Sequence, residues 1–135
     1  MALTKKINIL VIDDEELTQE LLRHMLRELD LGEIDIHASC SKALNRFKKD
    51  PSYFGMIISD WEVPGMNGLE FLKEVRILNK EIPFLMVTGN ASKSYVVKAV
   101  QAGVNDFLAK PFTANSLLKK VQNLIDASTA EEAKR

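Results

Sequence analysis

Met56-Ile57-Ile58-Ser59-Asp60-Trp61 decides the reading of this chain. Residues that suit a buried strand run straight into an aspartate. A strand covered on both faces reads as a near-continuous apolar run and belongs in the middle of a parallel sheet. Its C-terminal end opens where ligands bind in open α/β folds, so Asp60 is expected at the mouth of the sheet. Ile7-Asn8-Ile9-Leu10-Val11-Ile12 followed by Asp13-Asp14 repeats the design. If the two strands are parallel neighbours, three carboxylates meet at one edge. Each then raises the pKa of the others, and something cationic has to offset them.

Around these two stretches, strand-like and helix-like segments alternate. Glu15 to Leu29 carries Leu17, Leu21, Leu22, Met25, Leu26 and Leu29, one apolar face of a helix. Ile34 to Ala38 reads as a short strand and Ser39 to Lys49 as a helix ended by Asp50-Pro51. Tyr53 to Ser59 is the central strand. Val63-Pro64-Gly65-Met66-Asn67-Gly68 is loop. Asn67 can cap the next helix with Glu70 as capping-box partner. That helix runs to about Asn79 on Leu69, Leu72, Val75 and Leu78. Pro83 to Val87 is a fourth strand, Ala91 to Ala102 a helix closed by Gly103, and Asp106 to Ala109 a fifth strand. Thr113 caps a last helix built on Leu117, Val121, Leu124 and Ile125. Residues 1–127 form the expected domain, and the polar tail 128–135 is expected to fray. Five βα units with short connections predict a doubly wound α/β fold, a parallel sheet with helices on both faces.

The bulk numbers exclude several classes. At 135 residues, 46% hydrophobic and 27% charged, the chain has the size and composition of one globular domain. A net charge of −1 gives no support to a nucleic-acid binder. The single cysteine, Cys40, rules out an internal disulfide and does not suggest a thiolate metal site. No apolar run approaches the ~18 residues of a membrane span. Met-Ala-Leu-Thr-Lys-Lys lacks the apolar core of a signal peptide, so a cytoplasmic location is the default expectation. His24 and His37 have no metal-ligand spacing with a partner, and Trp61 reads as partly exposed packing. There is no glycine-rich phosphate loop and no nucleophile elbow.

In a parallel sheet the strand ends Asp13-Asp14, Asp60, Thr88 and Lys110 share one edge. Carboxylates, a hydroxyl and an ammonium suit an oxygen-liganded divalent ion beside a phosphoryl group. Mg²⁺ takes a few carboxylates and completes its shell with water and substrate oxygens. A carboxylate so placed can itself be the nucleophile, giving an aspartyl-phosphate. Taken singly, Asp13-Asp14 also suits a plain helix N-cap, Lys110 a loop lysine and Phe107 a core residue.

The order and spacing of Val-Ile-Asp13-Asp14, Ile-Ile-Ser-Asp60-Trp-Glu-Val-Pro64-Gly-Met-Asn-Gly68, Val-Thr88-Gly-Asn, Ala-Gly103 and Phe107-Leu-Ala-Lys110-Pro111-Phe-Thr resemble a response-regulator receiver domain over nearly the whole chain. Ser-Asp-Trp, Gln-Ala-Gly and Lys-Pro-Phe-Thr-Ala lean toward the single-domain chemotaxis type. The resemblance implies a flavodoxin-like fold, (βα)5, with strand order 2-1-3-4-5. It implies that Asp60 accepts a phosphoryl group from the phosphohistidine of a sensor histidine kinase or histidine phosphotransfer protein. Asp14 and Asp60 would hold Mg²⁺ directly, Glu62 through its backbone carbonyl and Asp13 through water. Thr88 and Lys110 would bind the phosphoryl oxygens, Phe107 would be the aromatic switch, and the bond before Pro111 would be cis. The output would be a protein or peptide on the surface of the fourth helix, fifth strand and fifth helix.

Two points stand out against the pattern: Phe107 stands where chemotaxis members usually carry tyrosine, and Glu62 and Asn90 lie two residues beyond Asp60 and Thr88. The resemblance implies that the latter two positions vary and tune phosphoryl lifetime, the Glu62 carboxylate either favouring the metal or obstructing attacking water. The expected molecule is thus a signalling switch rather than an enzyme, a monomer with no nucleic-acid partner and no membrane insertion. Within that class, a phosphorelay intermediate or a phosphate sink are the alternatives to flagellar-type output. Outside it stand a phosphorylation-independent scaffold and a small Mg²⁺-dependent phosphatase. Asp60-Trp61-Glu62-Val63 faintly resembles the Asp-x-Asp motif of haloacid-dehalogenase-like hydrolases, but the acidic pair here lies upstream and the second acid is glutamate.

Overall fold

The computed structural model describes residues 6–90 and 92–133. The expected helix start at Ala91 and the last two tail residues lie outside them. Strands β1 (Asn8–Ile12), β2 (Ile34–His37), β3 (Phe54–Asp60), β4 (Phe84–Thr88) and β5 (Asp106–Ala109) alternate with helices α1 (Glu16–Arg27), α2 (Cys40–Lys49), α3 (Gly68–Leu78), α4 (Lys93–Ala102) and α5 (Ala114–Ala133). All strand pairs are parallel, in the order β2-β1-β3-β4-β5. The expected fold class and strand order are both observed.

The sheet lies between two cores because alternate residues of a strand face opposite sides. Leu10, Ile12, Ile57, Phe84 and Met86 pack against α2, α3 and α4, with Phe47 and Phe71 from the helices. Ile9, Val11, Ile58, Leu85 and Val87 face α1 and α5 and meet Leu22, Leu26, Leu117 and Val121. β1 and β4 are buried throughout and β3 nearly so, whereas the edge strand β2 is only half-buried. Each fully buried aliphatic or aromatic side chain contributes about 1.5–3 kcal/mol, so the three middle strands dominate the stability of the sheet.

Local signals set the helix ends. Ser39 Oγ accepts the Lys42 amide, and Asn67 and Glu70 form the expected reciprocal capping box at 2.9 and 3.0 Å. Thr113 Oγ1 accepts the Ser116 amide. Gly103 closes α4 in the left-handed region at φ 96°, a conformation that glycine adopts without strain.

Four expectations change. Leu17 and Leu21 are 74% and 45% exposed instead of sharing the buried face. At about 100° per residue, Leu17 lies about 140° and about 180° around the helix from Leu22 and Leu26, so one periodic stripe is really two. Leu78 is exposed, and Phe71 takes the core position in α3. Trp61 is buried, stacked on Tyr95 with ring centroids 4.3 Å apart. The tail from Ser128 continues α5 as helix to Ala133. No helix among the described residues is long and apolar enough to cross a membrane.

Candidate functional site

Parallel register brings the strand ends to one edge. Ile12 pairs with Ser59, Asp60 with Val87, and Thr88 with Ala109. The residues at or just after these ends are Asp13, Asp14, Asp60, Thr88 and Lys110, so the predicted site residues do converge. The chain order also reverses between β1 and β3, the point at which open α/β sheets bind ligands.

Asp13 and Asp60 are buried, Asp14 is exposed, and one carboxylate oxygen from each lies within 4.8 Å of the others. Lys110 Nζ reaches Asp60 Oδ2 at 2.8 Å and Asp13 Oδ2 at 3.1 Å. Its backbone amide donates to Thr88 O at 2.9 Å, and the Lys110–Pro111 bond is cis, as the resemblance implied. Asp13 is held further: its Oδ1 accepts the Glu15 amide at 2.8 Å and its carbonyl accepts Gln19 Nε2. Asp60 Oδ1 accepts the Glu62 amide at 3.2 Å, and the Trp61 amide donates to Val87 O.

Burial pushes the Asp60 carboxyl above the usual carboxylate range, and the Asp13 charge adds to the rise. The hydrogen bond and charge of Lys110 oppose this without cancelling it. For Lys110 burial alone would lower the pKa, but the hydrogen bonds and charges of Asp60 and Asp13 outweigh it and raise the ammonium above its ordinary value. With all groups ionised, three carboxylates and one ammonium leave a net charge of −2. The donor set is entirely hard oxygen, and one divalent cation of the Mg²⁺ type would neutralise it. The residues fit such an ion.

Thr88 is fully buried at the end of β4. Its Oγ1 donates to Glu62 Oε1 at 2.8 Å and accepts the Asn90 amide at 3.0 Å. Phe107 is half-buried at the rim of the core on the α4 side. Gly68, at the start of α3, approaches the site backbone so closely that a Cβ there would meet Asp60 O at 2.5 Å and Trp61 Cα at 2.8 Å. Reading the sequence alone missed the Gly68 approach, the Trp61–Tyr95 stack and the Glu62–Thr88 hydrogen bond. Gly68 was visible as turn composition and as the end of the stretch from Asp60 that carries the resemblance, neither of which states the approach. The other two contacts span 34 and 26 positions in sequence and leave no local pattern.

Residues 9–122 match the family model described as response regulator receiver domain. The chemotaxis protein CheY-3 of Vibrio cholerae serotype O1 is 33% identical over 126 residues, which span 92% of this chain and 95% of that protein. A CheY-like receiver domain protein from Methanospirillum hungatei JF-1 superposes with a TM-score of 0.86 at 27% identity, covering 94% of this chain and 99% of its own. The receiver domain of the sensor histidine kinase PA1611 from Pseudomonas aeruginosa PAO1 superposes with a TM-score of 0.79 at 27% identity, covering 90% and 98%. That domain was solved with a magnesium ion coordinated in its active-site cleft. With the doubly wound sheet and its acidic edge, these matches establish that the chain belongs to the response-regulator receiver domains of two-component signalling and is CheY-like among them.

Proposed function

We propose that this receiver domain, residues 1–127, is a phosphorylation-controlled switch whose phosphoacceptor is Asp60. An oxygen of the Asp60 carboxylate attacks the phosphorus of a phosphohistidine on a sensor histidine kinase or histidine phosphotransfer protein. The new O–P bond forms as the P–N bond breaks, and the imidazole leaves with the electron pair and takes up a proton. The observation that carries this reading is the Lys110 ammonium held between Asp13 and Asp60 at 3.1 and 2.8 Å, beside the buried Thr88 hydroxyl. That arrangement offers a nucleophile and its counter-charge at one edge of the sheet, with a hydroxyl at the end of the next strand.

Asp14 and Asp60, with the Glu62 carbonyl, are the residues that would hold Mg²⁺, and the buried Asp13 would contribute through water. When bound, the ion neutralises the acidic cluster and polarises a phosphoryl oxygen. Lys110 orients the incoming phosphoryl group by charge. Thr88 donates to it, and Phe107 follows Thr88, altering the α4-β5-α5 surface. Exposed Val97 and Val100 on α4 make that surface suited to a protein or peptide. The proposed switch acts as a cytoplasmic monomer, and the likeness to the chemotaxis protein CheY-3 of Vibrio cholerae supports a chemotaxis-type output.

The test is Trp61 fluorescence, since Trp61 is the single tryptophan and follows Asp60 directly. Mg²⁺ and then beryllofluoride, a phosphoryl mimic, are titrated into wild type and Asp60→Asn. The expected result is a saturable Mg²⁺ response and a further beryllofluoride response that the variant loses. Absence of both responses in folded wild type counts against the phosphoacceptor and favours a scaffold. Steady turnover of an external phosphomonoester would instead identify a phosphatase.

A further inference from the structure

The Thr88 hydroxyl has a single proton, and in this structure it goes to Glu62 Oε1 at 2.8 Å. The Asn90 carbonyl is a second acceptor at 3.2 Å, while the Asn90 amide occupies a lone pair of the hydroxyl at 3.0 Å. Thr88 is fully buried, so water does not substitute for these partners. A hydroxyl so engaged cannot also donate to a group on Asp60.

The contact is built, because the backbone that carries Glu62 is fixed on both sides. The Glu62 amide donates to Asp60 Oδ1, the Trp61 amide donates to Val87 O, and the Trp61 ring is stacked on Tyr95 of α4. The loop that follows the phosphoacceptor therefore grips β4 through Glu62 and α4 through Trp61.

We propose that Glu62 is a positioning residue that restrains the switch, its carboxylate holding the Thr88 hydroxyl away from the phosphoacceptor until a phosphoryl group competes for the same proton. The inference rests on Asp60 being the phosphoacceptor and goes beyond it, giving the carboxylate at position 62 a defined action on Thr88. A phosphoryl group and the Glu62 carboxylate are both anions and repel. Activation thus releases Glu62 toward the solvent that it already faces, and the Thr88 proton passes from one acceptor to the other with no bond broken but the hydrogen bond. Only the difference in affinity between the two arrangements shifts the equilibrium, so a chain with no acceptor at 62 should activate more readily.

Beryllofluoride titrations at saturating Mg²⁺, followed through Trp61, test this in wild type, Glu62→Ala, Glu62→Gln, Thr88→Val and the double variant Glu62→Ala/Thr88→Val. Only midpoints are compared, because the substitution at 62 adjoins the fluorophore. Glu62→Ala should lower the midpoint roughly threefold to tenfold, the scale of a partly solvated charge-assisted hydrogen bond. Glu62→Gln, which keeps a weaker acceptor, should fall between. In the Thr88→Val background the Glu62→Ala effect should vanish, since the hydroxyl through which it acts is gone. Thr88→Ala replaces Thr88→Val should the valine variant fail to fold by circular dichroism.

A second readout is the Thr88 methyl resonance. In ligand-free Glu62→Ala it should move toward its beryllofluoride-bound position. An unchanged or raised midpoint in Glu62→Ala overturns the restraint. So does an equal gain in the Thr88→Val background, which would mark a general charge effect. A wild type that responds to neither Mg²⁺ nor beryllofluoride fails at the phosphoacceptor itself and takes the inference with it.

Discussion

Asp60 carries its charge at a disadvantage, because burial and the neighbouring Asp13 both favour the protonated acid. A carboxyl whose pKa is raised on folding stabilises the fold below the unfolded value of about 4 and loses that contribution as pH rises through the folded value. Asp60→Asn should therefore be more stable than wild type at pH 7 without divalent cations, by on the order of 1 kcal/mol. The gain should shrink toward zero as the pH falls through the raised pKa of Asp60. Thermal unfolding in a chelator across pH 4 to 8 checks the sign, and an advantage that grows on acidification would contradict it. Cys40 gives a second test at this scale. Burial pushes its thiol up to about 11, a hydrogen bond with Ser59 pulls the other way, and the charges of Asp60 and Glu70 add to the rise. It should react with a disulfide reagent at pH 8 at least tenfold more slowly than free cysteine, and at the ordinary rate in denaturant. The ionisable members of the site were legible in the sequence because each follows an apolar strand. What each carboxylate touches was not legible, because Glu62 meets Thr88 only after two strands have paired.

At the scale of elements, α3 is fixed to the site by the absence of a side chain. Gly68 donates its amide to Trp61 O at 2.9 Å, and its own Cα stands where a Cβ would strike the Asp60 carbonyl. Gly68→Ala should force the first turn of α3 away from the phosphoacceptor strand. A loss of about 1–3 kcal/mol is expected, the usual range for overpacking, with a weakened beryllofluoride response. Calorimetry and the Trp61 titration measure the two effects. A variant of unchanged stability and response would mean that the loop absorbs the methyl group. The helices themselves were readable from period and caps, down to the Asn67–Glu70 box. The errors share one cause. Leu17, Leu21 and Leu78 satisfy a helical period but lie beyond the sheet that the helix covers, and Trp61 is buried by Tyr95 from another element. Periodicity states that a face exists; the partner determines how much of it is covered. The helix from Ser128 to Ala133 was missed because its composition is polar and shows no apolar period.

At the scale of the molecule, alternation of strands and helices pointed to a parallel sheet, but the strand order came only with the resemblance. Nothing in local spacing states that β1 lies between β2 and β3. One side chain shows how the far side of that order is held. Arg76, on α3, donates to Gly103 O at 2.9 Å, to Asn79 O at 3.2 Å and to Asn105 Oδ1 at 2.9 Å. Asn105 Oδ1 also accepts the Phe84 amide at 2.8 Å, so the network joins the end of α3, the cap of α4 and the entries to β4 and β5. These elements frame the surface on which the proposed switch acts, while the site lies at the opposite end of the strands. Arg76→Ala should cost about 2 kcal/mol, the scale of several partly exposed hydrogen bonds to a charged donor. For a domain of this size that lowers the melting temperature by roughly 5–8 °C. Arg76→Lys should recover only a minor part, since an ammonium cannot span three acceptors as the planar guanidinium does. Because no site residue is touched, the beryllofluoride midpoint of the folded variant should stay within twofold of wild type. A large midpoint shift at modest cost in stability would instead place Arg76 in the coupling between Asp60 and α4, and amide exchange at Gly103 and Val104 would then show the α4 cap opening.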